Sequence, residues 1–252
     1  MADTLQDITI TTSLDEASTG LTGVLGVPDG PGPWPAVVVV HEAFGVDTEM
    51  RKQVAHLTSL GYLTLMPDLF TMGGMRRCIG ATFRSLRSGS GRAFADIEAA
   101  RQLLLAREDC TGAVGVIGFC MGGGFALATA AAGYGGGASG FDAASANYGM
   151  LPEDLDSLEH ACPVIASYGG KDGSLKGAAE KLEATFTKFG VPHDVKEYPE
   201  ASHSFLNSGP AGPVVLRPIM RIAGIKPNPE AAADAWKRID AFFTEHLVPA
   251  AD

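Results

Sequence analysis

The sequence has few cysteines, no long apolar run and no excess of basic residues, and each absence excludes a class of protein. Its four cysteines show no CxxC pair and no metal-ligand spacing, so neither a disulfide framework nor a metal centre is expected, and a cytoplasmic location is predicted. No apolar run approaches the ~18–20 residues that a membrane span requires. The first ten residues lack the basic and apolar segments of a secretory signal, and a net charge of −10 argues against general nucleic-acid binding.

The composition is that of an ordinary globular protein. The chain has 252 residues, of which 46% are hydrophobic and 19% charged, enough for one large α/β domain over residues 1–252. No internal repeat and no linker with a shift in composition divides it. The 32 glycines gather near residues 118–124 and 133–140 rather than in a low-complexity repeat.

Apolar runs alternate along the chain with amphipathic stretches. Two short strands of a hairpin come first, and the β-branched run Pro35–Glu42 is typical of a strand buried on both faces. We count about eight strands, and their alternation with helices predicts a mostly parallel sheet covered by helices on both faces. Helical spacing occurs in four clear stretches: 48–60, 92–107, 175–189 and the region from Pro229 to Leu247.

Two stretches, Thr71–Ser90 and Asn207–Asn228, are predicted to be irregular and are expected to be long loops, which in compact domains are usually functional or mobile. The first of them overlaps the only concentration of basic residues, between Met75 and Arg92. Its arginines could meet an anionic substrate or could simply form a solvated face, and the sequence leaves both alternatives open. They are Arg76, Arg77, Arg84, Arg87 and Arg92.

The segment Gly118–Gly122 has the pattern G-x-C-x-G between an apolar strand and an alanine-rich helix. This is the nucleophile elbow G-x-S-x-G with Cys120 in place of serine. The turn projects the central side chain outward, and the helix that follows directs its N-terminal N–H groups and partial positive charge at a thiolate. Alone, the pattern can also mean only a tight turn.

Asp172 and His203 each follow a late strand. Taken alone, Asp172 in "GGKDG" is ordinary turn chemistry, and His203 is one of six histidines. With Cys120, however, they occur in the chain order nucleophile, acid, histidine that the α/β-hydrolase triad requires. Because reactive groups collect at the carboxyl ends of parallel strands, the three are predicted to form a catalytic triad.

The loop after the strand Pro35–Val40 begins His41-Glu42-Ala43-Phe44. The backbone N–H groups of Met121 and Ala43 are the expected oxyanion donors. Glu42 follows a fully apolar strand, so it either serves as a cap or a solubilising charge or points into the site towards Cys120.

Together these residues resemble the dienelactone hydrolase (carboxymethylenebutenolidase) family of the α/β-hydrolase fold. The matching segments are "HEAFGVD", "GYLTLMPDLF", "GVIGFCMGGGFAL", "SYGGKDG" and "YPEASHSF". The resemblance implies a Cys120–His203–Asp172 triad, with Glu42 contacting the resting cysteine and helping to generate its thiolate. It also implies hydrolysis of a small ester or lactone without a metal or a cofactor.

The resemblance also implies residues that bind the substrate. Arginines would be expected shortly after the histidine motif and before the helix that begins at Arg92. Leu206 and Asn207 occupy the first region, and Arg84 or Arg87 could supply the second. Phe44 and Asn207 complete the predicted substrate-binding set. The substrate could be dienelactone or another ester or lactone. A redox-responsive thiol protein and a thioesterase are the alternative functions, and both a monomer and a homodimer remain open.

Overall fold

The structure is a computed structural model that describes residues 5–131, 140–209 and 226–248. Most of the glycine-rich stretch 133–140 and of the predicted loop 207–228 therefore lies outside the described residues. In the described part, eight strands form one sheet in the order β1-β2-β4-β3-β5-β6-β7-β8. The strands are β1 Leu5–Thr9, β2 Thr22–Gly26, β3 Trp34–Val40, β4 Leu63–Pro67, β5 Cys110–Phe119, β6 Ala144–Asn147, β7 Val164–Gly169 and β8 His193–Tyr198.

Strand β2 runs antiparallel to both β1 and β4, and the remaining pairs, from β4 through β3 to β8, are parallel. This confirms the predicted N-terminal hairpin and the mostly parallel sheet. The described helices are α1 Thr48–Ser59, α2 Met75–Ser88, α3 Arg92–Leu105, α4 Met121–Ala130, α5 Ala178–Phe189 and α6 Pro229–Leu247.

Two apolar layers cover the two faces of the sheet. Because side chains alternate along a strand, Val38 and Val40 of β3 face one layer while Val37 and Val39 face the other. The first layer contains residues of α3, α4 and α5, and the second contains residues of α1 and α6. All four valines are fully buried, as the continuous β-branched run predicts.

The expectation of a loop over Thr71–Ser90 is wrong, because the 14-residue helix α2 fills most of this stretch. It ends at Gly89, which adopts a left-handed conformation with φ 68° and donates its N–H to the carbonyl of Ser85. Only Cys78 and Thr82 are buried. Met75, Ile79, Phe83 and Leu86 are partly buried and pack against the first layer, so the helix has an apolar stripe at helical spacing. Its arginines and the glycines on either side obscure that stripe in the sequence.

Candidate active site

Four candidate catalytic residues follow the carboxyl ends of parallel strands. Glu42 follows β3, Cys120 follows β5, Asp172 follows β7 and His203 follows β8. Since β3 and β5 are neighbours and β7 and β8 are neighbours, the sheet brings these residues to one edge.

Cys120 occupies a strained turn between β5 and α4. Its φ is 55°, a region that favours glycine, and such a conformation costs of order 1–3 kcal/mol. The flanking glycines permit it: a Cβ on Gly118 would lie 1.9 Å from the carbonyl oxygen of Gly122, and a Cβ on Gly122 would lie 2.1 Å from that of Val40. The N–H of Cys120 donates to the carbonyl of Asn147 in β6 at 3.0 Å. The half-buried thiol thus stands at the first turn of α4.

His203 and Asp172 form a close pair. The Nδ1 of His203 lies 2.5 Å from the Oδ2 of Asp172, whose other carboxylate oxygen accepts hydrogen bonds from the N–H of Ser174 at 3.0 Å and its hydroxyl at 2.5 Å. Burial acts to raise the pKa of Asp172, but the bonds from His203 and Ser174 outweigh it and leave that pKa below its usual value. Asp172 is therefore a carboxylate, and Nδ1 carries the proton that faces it.

The Cys120 side chain also raises the pKa of the His203 imidazole. Burial alone would lower the pKa of His203, but hydrogen bonds with Asp172 and Cys120, together with their charges, raise that pKa to about 10. With Nδ1 directed at Asp172, the Nε2 atom is left for the thiol. The structure thus brings together all three residues of the predicted triad.

Glu42 is buried, with 3% of its surface exposed. Its carboxylate oxygens both accept from the Nδ2 of Asn207 at 3.3 Å. Burial raises the pKa of Glu42, while Asn207, the charge of His203 and the Ser204 side chain act in the opposite direction. Among the described residues, no hydrogen bond joins Glu42 to Cys120.

The backbone around Glu42 is fixed by two buried side chains. The N–H of Glu42 donates to the Sδ of Met50, and its carbonyl lies 2.7 Å from the Nδ1 of His41. The Nε2 of His41 accepts from the N–H of Leu69, so the ring is neutral with its proton on Nδ1, and burial lowers its pKa. His41 therefore supports the loop, and His203 remains the histidine of the site.

The predicted oxyanion donors lie at the start of α4 and in the loop after β3. Met121 is the first residue of α4, so no helical carbonyl is available to its N–H. The N–H of Ala43 has no hydrogen-bond partner within the part of the chain that the structure describes. Both groups are thus available to an anionic oxygen.

Tyr148, which sequence reasoning missed, belongs to the same site. It directly follows β6, has φ 41° and is fully buried with its ring 5.2 Å from that of His203. Burial, then the charges of Glu42 and Cys120, raise the pKa of its hydroxyl well above the usual value. The rule that reactive groups follow parallel strands could have identified it, since β6 lies between β5 and β7.

The predicted substrate-binding residues do not form one group. Asn207 is buried and bonded to Glu42, and Phe44 is half-buried in the loop after β3. Arg84 and Arg87 are exposed on α2. Both line a cavity of about 700 Å³ beside the start of α3, and Arg87 also lines one of about 540 Å³ beside Met150. Neither cavity is lined by Cys120 or His203.

Over 5–131, 140–209 and 226–248, no group of three or more His, Cys, Asp or Glu residues is placed to hold a metal ion. Among the helices of the same ranges, none combines the length and apolarity required to cross a bilayer.

Comparison with known proteins identifies the family of the chain. Residues 21–247 match the sequence model of the dienelactone hydrolase family. The carboxymethylenebutenolidase of Pseudomonas putida is 28% identical over 71% of this chain and 78% of its own length. That of Rhodococcus opacus is 28% identical over 84% of this chain and 81% of its own.

Solved structures share the fold at lower identity. A dienelactone hydrolase-like promiscuous phosphotriesterase from metagenomic libraries superimposes with a TM-score of 0.74 at 23% identity, covering 96% of this chain and 98% of its own. The dienelactone hydrolase of Anabaena variabilis gives 0.64 at 19% identity, covering 97% and 99%. From the family match and the sheet topology, the chain is an α/β-hydrolase that belongs to the dienelactone hydrolase family, a family of carboxylic-ester hydrolases.

Proposed function

We propose that the protein is a cysteine-dependent hydrolase of small esters or lactones, with Cys120 as the nucleophile. The observation that carries the proposal is the strained turn at Cys120, set beside a His203–Asp172 pair 2.5 Å apart. A plain tight turn requires neither the pair nor a positive φ at a non-glycine residue. An activated nucleophile requires a base, and the base requires a group that orients it.

The reaction would proceed in two halves. The thiol proton of Cys120 is transferred to Nε2 of His203, and the resulting thiolate attacks the carbonyl carbon. The oxygen of that carbonyl takes up the negative charge between the N–H groups of Met121 and Ala43. The C–O bond of the ester then breaks, and His203 gives a proton from Nε2 to the leaving alkoxide. Water, deprotonated by His203, attacks the thioester and releases the carboxylate and the thiol.

Glu42 is proposed to help generate the thiolate. Its buried carboxylate lies close enough to His203 for the imidazole charge to lower its pKa, and close enough to Tyr148 to raise that of the phenol. A buried carboxylate whose pKa is raised is a stronger base than one in water. Because Asn207 holds Glu42 in the structure, the carboxylate would have to turn to receive the proton from Cys120 and pass it on to His203.

The proposed substrate class follows from the relatives and from Asn207. The named relatives are carboxymethylenebutenolidases, which suggests a lactone. In this chain the position after the histidine motif carries a neutral amide engaged with Glu42, so no guanidinium reaches the substrate from there. We therefore expect neutral esters or lactones to be preferred over substrates that carry a carboxylate.

The test compares Cys120→Ala with Cys162→Ala. Cys162 is also half-buried, but burial raises the pKa of its thiol to about 12, so it is a matched unreactive cysteine. On short-chain p-nitrophenyl esters and a lactone panel, Cys120→Ala should lose all enzymatic turnover and Cys162→Ala should keep it.

The contrary result is full activity in Cys120→Ala, which would remove the nucleophile from the mechanism. Failure of the wild type on every substrate, with selective peroxide oxidation of Cys120, would favour the redox-responsive alternative.

A further inference from the structure

The segment after His203 is tied to α1 by buried polar side chains. Glu49 and Gln53 lie one turn apart on α1, and both are buried. The carboxylate of Glu49 accepts the N–H of Ser208 at 2.9 Å, its hydroxyl at 3.0 Å and the N–H of Gly209 at 2.9 Å. The Nε2 of Gln53 donates to the carbonyl of Leu206 at 3.2 Å.

Gln53 also determines how Asn207 is oriented. Its Nε2 lies 3.2 Å from the Oδ1 of Asn207, and an amide nitrogen can only donate. The oxygen of the Asn207 amide therefore faces Gln53, and the nitrogen faces Glu42 at 3.3 Å. If the amide turned over, its oxygen would face the Glu42 carboxylate, and two acceptors would meet in a buried site.

We propose that Gln53 and Asn207 form an amide relay, a pair of positioning residues that holds Glu42 as an oriented carboxylate beside the catalytic thiol. The proposal rests on the proposed function, since it assigns work to Glu42 there. It goes beyond that function because it assigns the orientation of Glu42 to Gln53, a residue of α1 that lies outside the predicted site. Neither amide touches the reacting atoms, so both act through Glu42.

Several other groups face Glu42, and each contributes to its ionisation. His203 stabilises the charged form and Asp47, at the start of α1, opposes it, while Ser204 donates a hydrogen bond. Tyr148 faces it from the end of β6. The amide relay differs from these groups because near-isosteric substitutions can remove its hydrogen-bond donors and leave the triad intact.

The first variant, Asn207→Asp, replaces the donor to Glu42 by a second acceptor of nearly the same shape. A like charge beside a buried carboxylate raises its pKa strongly. The second variant, Gln53→Met, keeps the side-chain length but removes the donor that orients Asn207. It should raise the pKa of Glu42 in the same direction by a smaller amount.

Thr58→Val is the matched control. Thr58 is also a buried polar residue of α1, bonded to the carbonyl of Val54 and the hydroxyl of Thr64. Within the described part of the chain it has no hydrogen bond to Glu42 or to residues 204–209. It should lower stability without moving the titration of Glu42.

The experiment is a titration of the Glu42 carboxyl carbon by NMR with ¹³C-labelled glutamate, assigned by its loss in Glu42→Gln. The same variants are then assayed for the acid limb of kcat/KM on a short p-nitrophenyl ester. We expect both midpoints to rise by one unit or more in Asn207→Asp, and by less in Gln53→Met.

An unshifted Glu42 titration in both variants overturns the relay, whatever the activity. If the Glu42 titration shifts but the acid limb of kcat/KM does not, the relay is upheld. That result contradicts the proposed part of Glu42 in forming the thiolate. The NMR readout therefore separates the two claims.

Discussion

Replacement of Gly118 by alanine probes the packing that holds Cys120 in its turn. The new Cβ would lie 1.9 Å from the oxygen and 2.2 Å from the carbon of the Gly122 carbonyl, and 2.7 Å from the nitrogen of Gly123. Real contacts of a Cβ essentially never fall below 3.0 Å, so β5 and the start of α4 must separate by about 1 Å. All three obstacles are backbone atoms, and no side chain can move aside to relieve them.

Overpacking typically costs 1–3 kcal/mol, and a clash with backbone should reach the upper end, about 3 kcal/mol. In a chain of this size each kcal/mol shifts the melting temperature by about 2–4 °C, so differential scanning calorimetry should show a fall of about 6–12 °C. A displacement of 1 Å at the nucleophile should also lower kcat by about 10²-fold at a temperature where the variant is folded.

The control is Gly80→Ala, at an exposed position in α2 where nothing lies within 4 Å of the new Cβ. Alanine is favoured over glycine inside a helix by roughly 0.5–1 kcal/mol, so this variant should melt about 1–4 °C higher than the wild type. If Gly118→Ala has the melting temperature and the activity of the wild type, the account of the turn is wrong.

Three further predictions concern the triad. Asp172→Asn should lower kcat by about 10³–10⁴-fold with a small change in KM, because an amide that donates to Nδ1 favours the wrong tautomer of His203; steady-state kinetics on a p-nitrophenyl ester measures this. Cys120→Ser should fold normally by circular dichroism yet lose most activity in the same assay, since a hydroxyl ionises far less readily than a thiol. The third concerns pH and stability: the pKa of His203 is raised in the folded protein, from 6.5 to about 10, so its contribution is fully present below pH 6.5 and is lost as the pH rises towards 10. The difference in unfolding free energy between the wild type and His203→Gln, from urea titrations, should therefore be largest below pH 6.5 and shrink towards pH 10; a constant difference would contradict the raised pKa.

The sheet was predictable because its strands have strong local signals. The β-branched run of β3 predicts a strand buried on both faces, and in the structure β3 lies inside the sheet with an apolar layer on each face. Helix α2 is harder to predict because arginines and serines interrupt its apolar stripe, Met75, Ile79, Phe83 and Leu86, and glycines flank it on both sides. A 14-residue helix is marginal in isolation, so its helical state depends on the packing of that stripe against the core.

The candidate site was predictable where chain order and strand ends constrain it, and not where it depends on partners distant in sequence. Asp172 and His203 were placed by the order of the strands that they follow. The bond from Asn207 to Glu42 joins residues 165 positions apart, and that from Gln53 to Asn207 joins residues 154 apart. Contacts between residues so far apart leave no periodic pattern, so the sequence predicts Asn207 only as a substrate-binding residue and gives no indication of a role for Gln53.

The central claim is that Cys120 becomes acylated during turnover. Rapid mixing with p-nitrophenyl acetate, acid quenching within the first turnover and peptide mapping by mass spectrometry test it directly. We predict one acetyl group on the peptide that contains Cys120, formed at the rate of the p-nitrophenol burst and absent from Cys120→Ala. A burst with the acetyl group on another residue, or turnover at the wild-type rate in Cys120→Ala, would contradict the account.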